Sequence, residues 1–429
     1  MSRGARTNAK LVLLLALLAT AWASAGAAPV RDAVTSAPHP IDFARDYVTA
    51  HARLHVGRGA PPVGEAGNDY GAAIGAPRVV LLGGPYFIHP PPALLAILPL
   101  VPLGFDGAAL AWLGLSLLAV VALARFLVAA AEIDDTRPVL RTGLVTLALL
   151  AWPPVLHNLS KGQWSILLAA LIAAGASALD RGRPRAAGVC LGIAASLKAT
   201  PILLLGYLAL RHRRAACAMA ATLVTAAALS IAANGWAPWL TWFADAPRDV
   251  VAWQTWTANT VSIGGALGRL FAGGPYARPL VAAPSFARGL TIGVSLALIA
   301  VAALVTRRAP ANPKVERTLF AAWTALVVVL NPLAWTHTAV LALLPLALVA
   351  RAASTAIPAT VLVALTIPRE TLAAFAGPPP VLPGAGLVLS LHAVAVVAFF
   401  IYALVVVSTG GVSARNSTDS TAPPPTRSP

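Results

Sequence analysis

The chain consists of long apolar runs separated by short clusters of arginine, and this alternation constrains its fold more than any other feature. In lipid a backbone must satisfy its own hydrogen bonds, and an apolar run of about 20 residues does so as a spanning helix. The composition fits this pattern, with 58% of 429 residues hydrophobic and only 11% charged. A soluble protein of this length would divide into several domains, whereas here one helical bundle in the bilayer accounts for most of the chain. The formal net charge of +16 raises the question of nucleic acid. The basic residues fall between apolar runs and not on one soluble module, so they report membrane topology and exclude a nucleic-acid partner.

The expected fold is therefore an all-α polytopic membrane protein of about ten spanning helices, near 11–28, 107–130, 139–156, 164–180, 215–234, 287–306, 318–333, 338–352, 356–368 and 385–408. One transmembrane domain covers 1–408, and 409–429, polar and Pro-rich, forms a disordered cytoplasmic tail. The N-terminal run also resembles a signal-peptide cleavage region at Ala23–Ala28 but is long enough to span, and is read as retained. Clusters at Arg181–Arg185, Arg211–Arg214 and Arg307–Arg317 read as cytoplasmic. Between the first two, Ala186–Leu210 is long enough for one crossing yet must return to the side it left. A re-entrant hairpin of two half-helices, broken at Lys198-Ala199-Thr200-Pro201, satisfies both conditions.

Two outward loops are long, 29–92 and 235–286. The first carries Asp42 and Asp46 and ends at His89-Pro90-Pro91-Pro92, before a short apolar run, Ala93–Leu103, that reads as an interfacial helix. The second is rich in tryptophan, including Trp236, Trp239, Trp242, Trp253 and Trp256, side chains that favour the headgroup level and also suit sugar stacking or a lipid-tail groove. Cys190 and Cys217 lie in apolar stretches without metal spacing and read as packing residues. No internal repeat, GxGxxG, Walker-type loop or HExxH occurs, which argues against an inverted-repeat transporter, a soluble-nucleotide site and zinc.

Carboxylates are scarce here and costly near lipid, so Asp42 and Asp46, four residues apart and on one face if helical, are the first candidates for chemistry. A positioned carboxylate can deprotonate a hydroxyl that attacks a sugar carbon, and a cation can stabilise a departing phosphate. Lys198, Lys161 and His337 each lie at the outer end of an apolar segment and are candidates for that phosphate. Asn158 and Gln163 could bind a hydroxyl-rich ligand.

These stretches also carry a family resemblance. In order, Asp42-Phe43 and Tyr47, Phe87 and His89-Pro90-Pro91, Trp152-Pro153-Pro154-Val155 with Asn158 and Gly162-Gln163, Leu197-Lys198-Ala199-Thr200-Pro201, and Asn331-Pro332 with Trp335 and His337, resemble glycosyltransferase family 87. The resemblance implies the GT-C membrane fold, a polyprenyl-phosphate sugar donor (typically mannose), a lipid or glycan acceptor, inversion at the anomeric carbon, and no bound metal or other cofactor. It implies Asp42 as general base with Asp46 ranked second, and Lys198 as the lysine of the family's proline-rich turn, although Ala199 replaces its first proline. His337 matches the first of a frequent histidine pair whose second member is Thr338 here, and His89 stands where a tyrosine is usual. His89 and Trp335 join the substrate-binding candidates on this ground. The expected place is the plasma (inner) membrane of a bacterium, surrounded by membrane lipids, with the active site outward. A lipid or polysaccharide transporter or flippase is the alternative, and it requires a polar path through several spans. An assembly factor would leave Asp42 dispensable.

Overall fold

The computed structural model of the chain describes residues 40–57, 64–79, 87–131, 137–244, 260–274, 277–353, 355–368, 371–372 and 385–409. The expected span at 11–28, the residues Trp253 and Trp256, and the tail beyond Thr409 lie outside them. Among the described residues the regular structure is helical, apart from an isolated bridge between Gly274 and Ala277. In chain order the helices are α1 (Ile41–His55), α2 (Gly64–Ala73), α3 (Ala93–Ile97), α4 (Gly104–Ala130), α5 (Pro138–Ala151), α6 (Pro153–Lys161), α7 (Ser165–Asp180), α8 (Pro184–Leu197), α9 (Leu204–Arg211) and α10 (Arg213–Asn234). They continue with α11 (Ile263–Phe271), α12 (Pro284–Arg308), α13 (Pro313–Val329), α14 (Leu343–Ala352), α15 (Ala356–Thr366), α16 (Ala385–Val388) and α17 (Leu391–Ser408). Short 3-10 helices at Leu98–Leu103, Thr200–Leu203 and Thr336–Ala342 link some of them.

The chain is a multi-pass membrane protein. Among the described residues four apolar helices are long enough to cross a bilayer: the stretch Ala93–Ala130 that contains α3 and α4, then α10, α12 and α17. Among the described residues, the other apolar segments expected to span are shorter helices or broken ones. In place of the single span expected at 139–156, α5 and α6 meet at Trp152 with a bend of 71°. The cause is local: Pro153 and Pro154 open α6 and hold Trp152 extended, at φ −80° and ψ 126°. The run Ala93–Leu103 precedes α4 as expected, but Ala93, Leu94, Ile97 and Val101 are buried in the common core.

The segment between the two basic clusters reverses where the proline-rich sequence suggested. Lys198 caps α8 with φ −146° and ψ 126°, and the chain turns through Thr200–Leu203 into α9. A Cβ on Gly188 would collide with Ala215 and Ala218, and one on Gly192 would lie 2.6 Å from Thr222. These glycine contacts advance together along both chains, so α8 and α10 run parallel and begin at the same end. Arg183 and Arg213 are therefore level with each other. The same end is tied together by charge: Arg211 Nε donates to Glu316 at 2.9 Å, Tyr207 donates its hydroxyl to Glu316 at 3.0 Å, and Arg317 Nε donates to Asp180 at 3.0 Å. Burial would raise the Glu316 carboxyl, but hydrogen bonds from His212 and Arg211 outweigh it and bring it down to about 2.

One contiguous apolar core runs from Phe43 to Val407. Its least expected member is α1, which the sequence placed in an outward loop. Asp42 sits in the first turn of α1 and Arg53 and His55 in the last, matching the helix dipole, and ten of its fifteen residues are buried.

Candidate active site

The site forms where α1 meets the turn after α6. That turn ends in Gly162 at φ 67°, in the left-handed region, where a Cβ would lie 2.6 Å from Phe43 Cβ. Only glycine permits so close an approach of α1. Phe43 stacks on Trp112 with ring centroids 5.3 Å apart, and Trp112 Nε1 donates to the Gly162 carbonyl at 2.9 Å. Asn158, fully buried, braces the same turn, donating to the Gln163 carbonyl at 3.0 Å and accepting from Ser165 N–H at 3.1 Å with its amide turned to satisfy both. Its side chain thus serves the turn that presents the next two residues.

Those two residues reach back across the fold to the acidic pair. Gln163 Nε2 donates to Asp42 Oδ2 at 2.6 Å, and Trp164 Nε1 donates to Asp46 Oδ2 at 2.8 Å. Arg45 lies between the carboxylates, with Nε 3.4 Å from Asp46 Oδ1 and Nη1 3.8 Å from Asp42 Oδ1. His89 Nε2 is 3.5 Å from Asp46 Oδ2 and 3.4 Å from Arg45 Nη2. Asp46 is consequently surrounded by donors. Burial alone would raise its carboxyl, but His89, Arg45 and the Trp164 bond hold it below the ordinary carboxylate value. Burial pulls His89 below its usual range against the opposing pull of Asp46. Asp42 is less saturated: among the described residues one oxygen is held by Gln163 and the other meets the longer Arg45 contact alone. A carboxylate held in this way can accept a proton on its second oxygen.

The remaining candidates divide. Lys198, half-buried at the α8 break, interacts electrostatically with Arg45, Asp42 and Asp46, so the α8–α9 turn lies in the neighbourhood of the acidic pair. His337 is buried and lies within the field of Lys198, Arg45 and His89. Trp335 packs edge-on against it with centroids 5.9 Å apart. Lys161 ends α6 half-buried, and among the described residues no ion pair joins it to either aspartate. Arg269 is buried with its guanidinium on Thr260 and Ser390, where Nη2 donates to Ser390 Oγ at 3.1 Å.

Sequence reasoning missed three participants. Trp164 and Trp112 read as ordinary apolar residues, and the adjacency of Trp164 to Gln163 was the available clue. His157 carries no signal of its own beyond its place beside Asn158, yet its ring lies 5.7 Å from that of His337. A second imidazole is therefore present although Thr338 occupies the expected position.

The sequence profile of glycosyltransferase family 87 matches residues 87–330, more than half of the chain. The chain belongs to glycosyltransferase family 87. Within this family-87 chain the matched stretch contains His89, Asn158, Lys161, Gln163 and Lys198, while Asp42, Asp46, Trp335 and His337 lie outside it and are brought to it by the fold. Over 205 residues it is 28% identical to the polyprenol-phosphate-mannose-dependent alpha-(1-2)-phosphatidylinositol mannoside mannosyltransferase of Mycolicibacterium smegmatis (strain ATCC 700084 / mc(2)155), a match covering 46% of this chain and 44% of the relative. The chain thus spans less than half the length of that curated relative. No solved structure matches it.

Proposed function

We propose that the chain is an integral membrane glycosyltransferase that moves a hexose, mannose, from a polyprenyl-phosphate sugar to a lipid or glycan acceptor. The observation that carries this reading is Asp42, buried and held by Gln163 on one oxygen, with the Lys198 ammonium in the same field. Asp42 acts as general base and takes the proton of the acceptor hydroxyl. The hydroxyl oxygen then bonds to the anomeric carbon from the face opposite the phosphate. The sugar–phosphate bond breaks with its electron pair on the departing polyprenyl phosphate, and the anomeric centre inverts. Lys198 and His337 stabilise the charge gathering on that phosphate from opposite walls, and Lys161 adds positive charge to them. Asp46 orders Arg45, His89 and Trp164 around the base and does not itself take the proton. Gln163, His89 and Trp335 border the substrate.

The family match and the donor named for the relative support the sugar and donor. The lipid nature of that relative's acceptor supports a lipid acceptor here. The common starting level of α8 and α10 supports a re-entrant α8–α9 hairpin whose basic ends are cytoplasmic and whose Lys198 tip approaches an outward-facing site in a bacterial plasma membrane. The deciding experiment reconstitutes the full chain with radiolabelled polyprenyl-phosphate mannose and a lipid extract of the host. Label should enter a lipid product with the native chain and not with Asp42→Asn. Equal transfer by both would remove Asp42 from the reaction, and no transfer by either would remove the activity.

A further inference from the structure

Buried polar groups in folded proteins are paired, and a local concentration of unpaired ones calls for a ligand or solvent. In this chain such a concentration lies beside the acidic pair. Gln163 Oε1, Ser165 Oγ, Asn331 Nδ2, Thr336 Oγ1, Thr338 Oγ1 and both ring nitrogens of His337 are buried without a hydrogen-bond partner among the described residues. They come from two segments that are adjacent in space. The 3-10 helix Thr336–Ala342 packs on α6 and α7, with Gln163 and Ser165 at the junction between those two helices. The exposure of Gln163, Ser165, Thr336 and Thr338 is 3%, 0%, 5% and 0%, so bulk water does not satisfy them.

The chemistry of the set is specific. Apart from the imidazole, its members are hydroxyls and amides, which are neutral, and the nearby cation Lys198 stands outside it. Neutral groups in a dry place fit a ligand's hydroxyls, each of which both donates and accepts, whereas a phosphate calls for charge. Gln163 is divided between two tasks: its amide nitrogen is spent on Asp42, and its oxygen is left to accept a hydroxyl hydrogen. His337, with one nitrogen donating and the other accepting, can stand at the border between hydroxyls and phosphate. We infer that the α6–α7 junction and the turn at Asn331–Thr338 form the subsite for the hydroxyls of the transferred hexose, next to and separate from the phosphate site at Lys198. The inference rests on the donor proposed above and adds which part of it is read by neutral groups.

The test separates sugar from phosphate. Affinities of the purified full chain in lipid nanodiscs are measured for a non-hydrolysable phosphonate analogue of polyprenyl-phosphate mannose and for sugar-free polyprenyl phosphate. Thr338→Val and Thr336→Val keep shape and remove one hydroxyl each. At least one of them should weaken the sugar-bearing ligand about fivefold, the value of one neutral hydrogen bond, and leave the sugar-free ligand unchanged. Lys198→Met should weaken both ligands alike. Retained binding of polyprenyl phosphate shows that each variant is folded. Equal losses for both ligands in the threonine variants, or no loss for either, would overturn the hexose subsite while leaving the donor proposal standing. A native chain that binds neither ligand would overturn both.

Discussion

Exchanging Asp42 and Asp46 one at a time for asparagine should separate chemistry from architecture, because the two carboxylates, four residues apart, have different surroundings. Asp42→Asn keeps an oxygen for the Gln163 amide at the present 2.6 Å contact and gives up the long 3.8 Å approach of Arg45 and the attraction of the Lys198 ammonium. Stability should change by no more than about 1 kcal/mol, the scale of a single modest interaction. Turnover should fall by a factor of about 100 or more, since the proton acceptor is gone. Asp46→Asn removes the one carboxylate that faces Arg45 Nε, the Trp164 indole and His89 at once, with the Asp46 side chain 1% exposed. Removing one partner of a buried pair costs roughly 3–5 kcal/mol because the other charge is left uncompensated. The Asp46 variant should therefore unfold well below the native chain in lipid and recover activity in proportion to the folded fraction. Thermal unfolding of both variants beside single-turnover transfer from a polyprenyl-phosphate sugar is the assay. A stable, inactive Asp46→Asn together with an active Asp42→Asn would refute the assignment and move the base four residues along.

Three further outcomes follow from the same geometry. Single cysteines at Gly182 and His212, in a background lacking Cys190 and Cys217, should both be shielded from an impermeant outside thiol reagent, since α8 and α10 begin at one level; labelling of one alone would mean a full crossing between them. Gly162→Ala combines a φ of 67° with a Cβ 2.6 Å from Phe43, so it should cost about 1–3 kcal/mol and displace Gln163 from Asp42, lowering turnover as well as unfolding temperature; an unaffected variant would show that α1 does not need this close approach. Glu316 has its folded value depressed from 4.5 to about 2, so the stability it contributes is present above pH 4.5 and is lost as pH falls toward 2. The destabilisation by Glu316→Gln should accordingly be largest at neutral pH and shrink in acid, and a pH-independent difference in unfolding temperature would argue against the half-buried Arg211–Glu316 ion pair.

Much of the fold class is legible in the residues themselves. Uncharged runs report a membrane because charge in hydrocarbon is expensive, and Lys198-Ala199-Thr200-Pro201 reports a break because proline removes a donor and restricts its neighbour. Such signals act over a few residues and need no tertiary context. The same signal is present at Trp152-Pro153-Pro154, but there the apolar run continues through the prolines and its length alone suggests one span. The scarcity of carboxylates likewise singles out Asp42 and Asp46 from composition alone.

The surroundings of those two carboxylates were decided elsewhere. Gln163 stands 121 residues from Asp42, and Trp164 stands 118 from Asp46. No periodicity connects positions so far apart; the connection exists because Gly162 lets α1 pack against the α6–α7 turn. Likewise His157 lies beside His337 in space although 180 residues separate them in the chain, which no linear motif can express. The sequence alone determined that this chain would be helical, lie in a membrane and carry a few acids and cations between its apolar runs, since desolvation and backbone hydrogen bonding act on each segment separately. Only the packing of α1 into the core, where burial leaves each polar atom either a specific partner or none, decided which carboxylate is more saturated, which is less, and which buried groups among the described residues are left unpaired.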